Sequence, residues 1–517
     1  MKEIIKVARL ITLCCILAAT ITFAEERAAN KEPNKPNLDP NHEVIKSSLA
    51  KLIRSALGEP NEPSYAKLIP AEKLKEDLDF LFKTIEEVHP NMYAYTPKEE
   101  FDPLRKQLYE TINRPMNQLE FYKTVAPVVA SLRSGHTFVF PLIEEFNEYT
   151  KDGGKVFPLS LSWDGQKPIL TKNLTPNRLP IGGTILAINR EDAVTLVQRL
   201  ARYFPAEHKD SFPWQLERDK LLRLCIWLEF GSVESLDVRV RAIDGTVKNY
   251  SVKLMTLDEI RAREDPNEGK NSYRYLPQYD TFLIKLDDWS SEPDIKRFCE
   301  KTFEELKNRK ASNLIIDICN NPGGNSSCAE VFIEYLTDKP YCLFEEVGAK
   351  LSKQFCSRSG TNVTPEMIGQ NFSQKVPLKK PQSNSLRFQG HVYLLIGTRS
   401  TSTSTAFAAS VKHFGLATIV GQETAEPLTT YGSAFDFQLP NSGLRAFSAC
   451  QNYVFSGSKN DGRSIIPDYE VKQKPEDTAK GVDTVLQFTL DLIKKSGSET
   501  SSEQKADNPV QTERAEK

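Results

Sequence analysis

LIIDICNNPGGNSS, residues 314–327, is the stretch on which the reading of the fold turns. From Leu314 to Cys319 only Asp317 interrupts the apolar residues, which predicts a strand buried on both faces rather than one half-exposed to water. Asn320-Asn321-Pro322 stops the strand, and Gly323-Gly324 lets backbone N–H groups come close to a ligand. A helix over 327–336 then points its positive end at the same place. Working outward, VYLLI at 392–396 is a second buried strand, followed by GTRSTSTST at 397–405 and a helix over 402–414. FLIKL at 282–286, a helix over 295–309 and ATIV at 417–420 extend the alternation. Apolar strands alternating with helices across 273–494 predict an α/β core whose sheet is covered on both faces.

Upstream the grammar changes. Residues 155–256 carry short runs of period two, at 168–171, 184–189 and 236–241, with a helix over 193–203 and an Asp244-Gly245 hairpin signal. This predicts a small β-rich module. Residues 69–150 are helical instead: Leu74, Leu78, Leu81, Phe82 and Ile85 recur at three- and four-residue steps. Further helices are expected over 101–112 and 119–132, ending at Ser134-Gly135-His136. The chain is therefore expected to be multidomain α+β.

The ends read differently. Lys2, Lys6 and Arg9 precede an apolar run from Leu10 to Ala24 that is short for a membrane span, so 1–24 reads as a secretory signal peptide. Export to the periplasm or exterior is the expectation, without a stable membrane span. Residues 25–68 read as a linker with one short helix near 43–57, and 495–517 as a disordered tail. With 517 residues, 39% hydrophobic, 26% charged and a net charge of −2, the chain exceeds one core and lacks the basic excess of a nucleic-acid binder. Seven cysteines follow the signal segment, an odd number without the spacing of a metal ladder. They read mostly as buried thiols. Cys342 and Cys356 would close a short loop if bridged.

Reactive groups are few. Of six histidines, His136 alone follows a small Ser-Gly pair at a helix end, where a ring can face a cleft. The hydroxyl run after the strand at 392–396 offers a nucleophile at a helix start, although serine and threonine are also common N-caps. On chemistry alone that choice stays open.

Four motifs taken together resemble peptidase family S41, the C-terminal-processing and tricorn-like peptidases, in its histidine-dependent branch. LIIDICNNPGG resembles the family's strand and glycine turn, and RSTSTSTAFAASVKHFGLATIVGQ at 399–422 its nucleophile helix. SLRSGHTFVF at 131–140 resembles the histidine motif, and DGRSIIPDYEV at 461–471 the C-terminal segment. The resemblance implies a crotonase-like ββα-repeat core, and LPIGGTILAINREDAVTLVQRL at 179–200 resembles a PDZ domain. It also implies roles. Ser402 takes the nucleophile position, with Ser400 and Ser404 as near misses. The lysine of the other branch is missing from 422–430, so His136 serves as base. Asp461 matches an acidic position that acts through Ser134. The oxyanion donors are the N–H groups of Gly323 or Gly324 and of Thr403. Cys319, Thr405 and Ser134 depart from the family pattern. The expected substrates are extended polypeptides, with no metal or organic cofactor. A non-cleaving peptide binder and another acyl hydrolase are the competing expectations, the latter weakened by the absence of a GxSxG elbow.

Overall fold

The computed structural model describes residues 66–207, 214–360 and 363–506. The expected signal segment, nearly all of the linker and the end of the tail lie outside the described residues.

A six-stranded sheet forms the centre of the C-terminal half. Ser272–Leu276 pairs antiparallel with Thr281–Lys285, and Asn313–Asp317, His391–Ile396, Thr418–Gly421 and Tyr469–Glu470 follow in parallel. Side chains alternate across a strand, so a strand buried on both sides must be apolar at every position. Leu314 and Ile316 pack with Phe282, Ile284, Leu394 and Ile396 against Ile295, Phe303, Phe332 and Phe407. Ile315 faces the other way, with Leu283, Tyr393, Leu395 and Val420, onto Leu490 and Ile493. Each fully buried side chain of this kind contributes about 1.5–3 kcal/mol. Both faces are covered, as the strand pattern demanded.

The last helix, Thr484–Ala506, runs beyond the expected end at residue 494 into the segment read as a disordered tail. Leu490 and Ile493 anchor it on the sheet. Once a helix is nucleated, adding residues of ordinary propensity costs little, so polarity alone does not end it.

A second sheet stands beside the first. Its longest strand, Arg445–Phe455, pairs antiparallel with Thr429–Gln438 along one edge. Along the other edge it pairs with Phe344–Lys350 and, at its far end, with the two residues Phe138–Val139. The helical region that precedes Phe138 is thus stitched to the C-terminal half. Its helices are Ala71–Val88, Lys98–Thr111 and Gln118–Ala130, the last opened by a capping box between Asn117 and Glu120. Asp77, fully buried on the first helix, accepts the N–H groups of Asn441 at 2.8 Å and Ser442 at 2.7 Å, which fixes the hairpin turn ahead of Arg445.

Between these parts lies an antiparallel sheet of Leu159–Asp164, Lys167–Asn173, Thr184–Ile188, Ser235–Arg241 and Val247–Lys253. Helices Ala193–Ala201 and Asp219–Phe230 pack on it. Among the described residues no helix is long and apolar enough to cross a membrane, and all seven cysteines, Cys342 and Cys356 included, carry free thiols.

Candidate active site

The hydroxyl run sorts itself by burial and bonding. Ser400 is fully buried, donating to the Ile318 carbonyl at 2.8 Å and accepting the Gly397 N–H at 3.1 Å. Ser404 is also fully buried, and its hydroxyl accepts the indole N–H of Trp289 at 2.9 Å. Both are structural. Ser402 is half-buried and lines a cavity together with His136, Glu426, Thr430, Gly432 and Tyr453. It is the N-cap of helix Thr403–His413, yet its side chain caps nothing. Its backbone sits at φ 55° and ψ −121°, a region that costs a non-glycine residue about 1–3 kcal/mol. Such a turn swings the side chain out of the helix and into the cavity.

The glycine turn lies against this serine. A Cβ at Gly323 would come within 2.7 Å of Ser402 Cβ and 2.6 Å of the Thr401 carbonyl oxygen, and its φ is +94°. Only glycine fits there. The expected oxyanion donors divide. Gly323 gives its N–H to Asn321 Oδ1 at 2.9 Å, within its own loop. Gly324 and Thr403 remain as the pair, the latter at the first position of its helix, where no preceding helical carbonyl can take its N–H. Their loops are tied together by the Thr403 hydroxyl, which donates to the Gly324 carbonyl at 2.7 Å.

His136 reaches the same cavity from far upstream in the chain. The strand Phe138–Val139 that follows it is zipped to Phe447 and Ala446. Thr137 accepts the Ala449 N–H at 3.1 Å, and Phe140 donates to the Arg445 carbonyl at 2.8 Å. His136 is 7% exposed, and its Nδ1 has no hydrogen-bond partner among the described residues. Burial, and then the nearby His89, push its imidazolium down to about 3, so the ring is neutral in this pocket.

The carboxylate facing it is Glu426, 3% exposed, with Oε1 3.8 Å from His136 Nδ1. The same Oε1 accepts the Thr430 hydroxyl at 3.1 Å, while Oε2 accepts the backbone N–H of Ser402. One carboxylate therefore holds the Ser402 backbone and faces the His136 ring. A second buried carboxylate, Glu207, accepts the Gly135 N–H at 3.0 Å. Burial pushes both carboxyls up, and for Glu207 the charge on Glu426 adds to the effect.

The α/β segment answers to a known family. Residues 280–471 match the family model described as peptidase family S41.

Over these residues the chain is similar to peptidase family S41.

Among solved structures, that of mature CPAF is similar to the whole arrangement, with a TM-score of 0.59 at 14% identity, covering 82% of this chain and 97% of that one. CPAF complexed with lactacystin gives a TM-score of 0.58 at 14% identity, covering 83% of this chain and 98% of that one. At such identity the likeness concerns the fold, mixed α+β with several sheets.

Two residues expected in this S41 site are placed otherwise. Asp461 is exposed in a turn, where its carboxylate accepts the Arg463 N–H at 3.0 Å, and it does not line the cavity. Glu426 occupies the position opposite the imidazole instead. Ser134 is buried, but its hydroxyl partners are His89 Nε2 at 3.0 Å and Thr137 Oγ1 at 3.2 Å. Because His89 Nδ1 accepts the Asn91 N–H at 3.0 Å, its proton must reside on Nε2 and be donated to Ser134. Glu426, Glu207 and His89 were missed by sequence reasoning. The stretch at 422–430 was read only for its lack of lysine, although its two acids, Glu423 and Glu426, were in view. Glu207 lies in the insert after the helix Ala193–Ala201, where no periodicity marks a site.

Proposed function

We propose that the chain is an exported serine peptidase that cleaves extended or unfolded polypeptides through an acyl-enzyme, with Ser402 as nucleophile and His136 as base. The observation that carries this reading is the single carboxylate of Glu426 spanning both: it accepts the Ser402 N–H and faces His136 Nδ1 at 3.8 Å.

In the proposed cycle His136 Nε2 takes the Ser402 proton as Oγ attacks the scissile carbonyl carbon. Glu426 orients the ring through Nδ1 and stabilises the imidazolium. The oxyanion is held by the N–H groups of Gly324 and Thr403, and loss of one such donor typically costs about 2.7–4 kcal/mol. The tetrahedral species collapses, and His136 returns the proton to the leaving amine. Water, deprotonated by the same nitrogen, then attacks the acyl carbon and frees Ser402. Held neutral by burial, the His136 ring is in the proton-accepting form near neutral pH. A Glu426–His136 distance longer than a hydrogen bond is ordinary for a resting site and shortens when a substrate binds.

Likeness to the family supports polypeptide as the substrate class. The antiparallel sheet over 159–253 supports the PDZ-like reading, in which an extended chain end adds to a strand edge. The basic and apolar opening of the sequence supports export.

A fluorophosphonate probe tests the proposal. Modification mapped to the Ser402 peptide is expected, as is casein hydrolysis that disappears in Ser402→Ala and His136→Ala while far-UV circular dichroism is preserved. Full activity in either variant refutes the assignment. A folded, unreactive chain points to a peptide binder. Hydrolysis of nitrophenyl esters without casein points to another acyl hydrolase. Mass spectrometry of the products separates internal cleavage from carboxyl-terminal processing.

A further inference from the structure

Three ligating side chains converge beside the nucleophile. A ring nitrogen of His136 and one carboxylate oxygen from each of Glu207 and Glu426 lie within 4.8 Å of one another, and all three residues are buried. Nδ1 has no hydrogen-bond partner among the described residues and faces Glu426 Oε1 at 3.8 Å. Among the described residues neither carboxylate forms an ion pair with a lysine or arginine. Arg133, whose charge acts on Glu207 without forming an ion pair, spends its N–H groups on the carbonyls of Tyr95, Ala206 and Glu207. Two buried carboxylates without a cation are costly, and an unsatisfied ring nitrogen beside them completes a nitrogen–oxygen donor set.

The surrounding backbone holds this set in place. Glu207 is pinned by the Gly135 N–H at 3.0 Å, one residue from His136. A Cβ at Gly135 would lie 2.3 Å from Glu207 Oε1, so the glycine is what admits the carboxylate. Glu426 is held by Ser402 and Thr430. The three ligands come from three separate parts of the chain, each fixed by its own backbone contacts.

We propose that His136, Glu207 and Glu426 form a Zn²⁺ site that switches the peptidase off. One imidazole and two carboxylates suit zinc, which accepts three protein ligands plus water in a tetrahedral site. Mg²⁺ prefers six oxygens and keeps its waters. Two carboxylates balance the charge of the ion. Zinc on Nδ1 leaves the ring proton on Nε2, and a protonated Nε2 cannot accept the proton of Ser402. The metal thus blocks the base without touching the nucleophile. The inhibitory half of the proposal rests on the peptidase reading, whereas the metal site itself does not.

Calorimetric titration of the full-length Ser402→Ala chain with ZnCl₂ measures the site apart from activity. The chain's cysteine thiols, seven of them among the described residues, offer other zinc positions, so the comparison is with Ser402→Ala/Glu207→Gln, whose amide still accepts the Gly135 N–H. One binding event weakened about 10-fold or more by Glu207→Gln is expected. Casein hydrolysis by the Ser402-containing chain should fall with zinc, recover with EDTA, and be indifferent to MgCl₂. Glu207→Gln, normalised to its own zinc-free rate, should need about 10-fold more zinc for the same loss. Equal zinc binding with and without Glu207 overturns the site. Zinc bound at a Glu207-dependent site with casein cleavage unslowed overturns the switch. If no chain cleaves casein under any condition, the peptidase reading fails, and the calorimetry still decides the site.

Discussion

Phe138 stands directly opposite Phe447 in an antiparallel ladder, their ring centroids 5.6 Å apart. This pair closes a two-residue strand, which by itself would be far too short to hold, and it does so two positions beyond His136. The imidazole is delivered to the cavity by cross-strand pairing rather than by the helix that precedes it. Aromatic pairs of this geometry contribute about 0.5–1.5 kcal/mol beyond the area they bury, and Phe140 packs on both rings.

The hydroxyl of Thr137 is the side-chain link between this ladder and the histidine loop, accepting the buried Ala449 N–H. Thr137→Val keeps the shape and leaves that N–H without its acceptor, at about 1–3 kcal/mol. The expected outcome is a fall in kcat of about 10-fold or more, because small misplacements of a base are expensive, with KM little changed. Thr137→Ser should restore most of the rate. Steady-state kinetics on a peptide substrate measures both.

Glu426 has two roles that substitution separates. The glutamine oxygen still accepts the Ser402 N–H, and the Thr430 hydroxyl can turn to accept from the amide NH₂, so Glu426→Gln should keep its melting temperature within a few degrees. It cannot stabilise an imidazolium, and kcat should fall by about 10³-fold or more. Glu426→Ala should lose stability as well as rate, since two donors then lack acceptors. Melting curves and kcat on the same preparations check this.

Gly323→Ala is expected to stop fluorophosphonate labelling of Ser402. The added carbon meets backbone and Ser402 Cβ at 2.6–2.9 Å, at a φ that alanine rarely adopts. Gly415 has a comparable φ of +65° but open space around it. Gly415→Ala should therefore cost only about 1 kcal/mol and leave labelling intact. The two labelling rates side by side distinguish crowding at the nucleophile from backbone strain alone.

His89 supplies a pH prediction. Burial first, and then the charge of Lys350, push its pKa down to about 3 from an ordinary 6.5. The unfolded chain therefore binds a proton below about pH 6.5 that the folded chain refuses. The stability this group contributes is present above about pH 6.5 and is lost as pH falls toward 3. At pH 5 the loss is about 2 kcal/mol. The raised carboxyls of Glu207 and Glu426 act in the opposite direction over part of this range, so the quantity to compare is the difference between chains. The reference chain is His89→Gln, whose amide can accept the Asn91 N–H and donate to Ser134 without titrating. Its denaturant-unfolding free energy should fall less than that of the unaltered chain between about pH 7 and pH 5.

How much of this was legible beforehand depends on the range over which a signal acts. The strands at 314–319 and 392–396 were readable because burial on both faces forces continuous apolar residues, a purely local mark. The helices at 71–88 and 403–413 were readable from periodicity and from the chemistry at their starts. His136 stood out as a ring beside a glycine and the hydroxyl run as a strand-to-helix turn, while Ser402 within that run was singled out only by the family resemblance. Asp461 was chosen for its place in a motif, and the fold leaves it in an exposed turn bonded to Arg463.

By itself the sequence determined the alternation of strand and helix, the apolar sheet with two covered faces, and the glycine turn that only a residue without a side chain can make. Tertiary structure alone decided which carboxylate faces the imidazole, which of three neighbouring serines looks into the cavity, and that Glu207 joins them. The physical reason is that periodicity records which face of an element is buried, whereas the partners of a buried polar group are set by strand pairing between segments far apart in the chain, as Phe138 with Phe447.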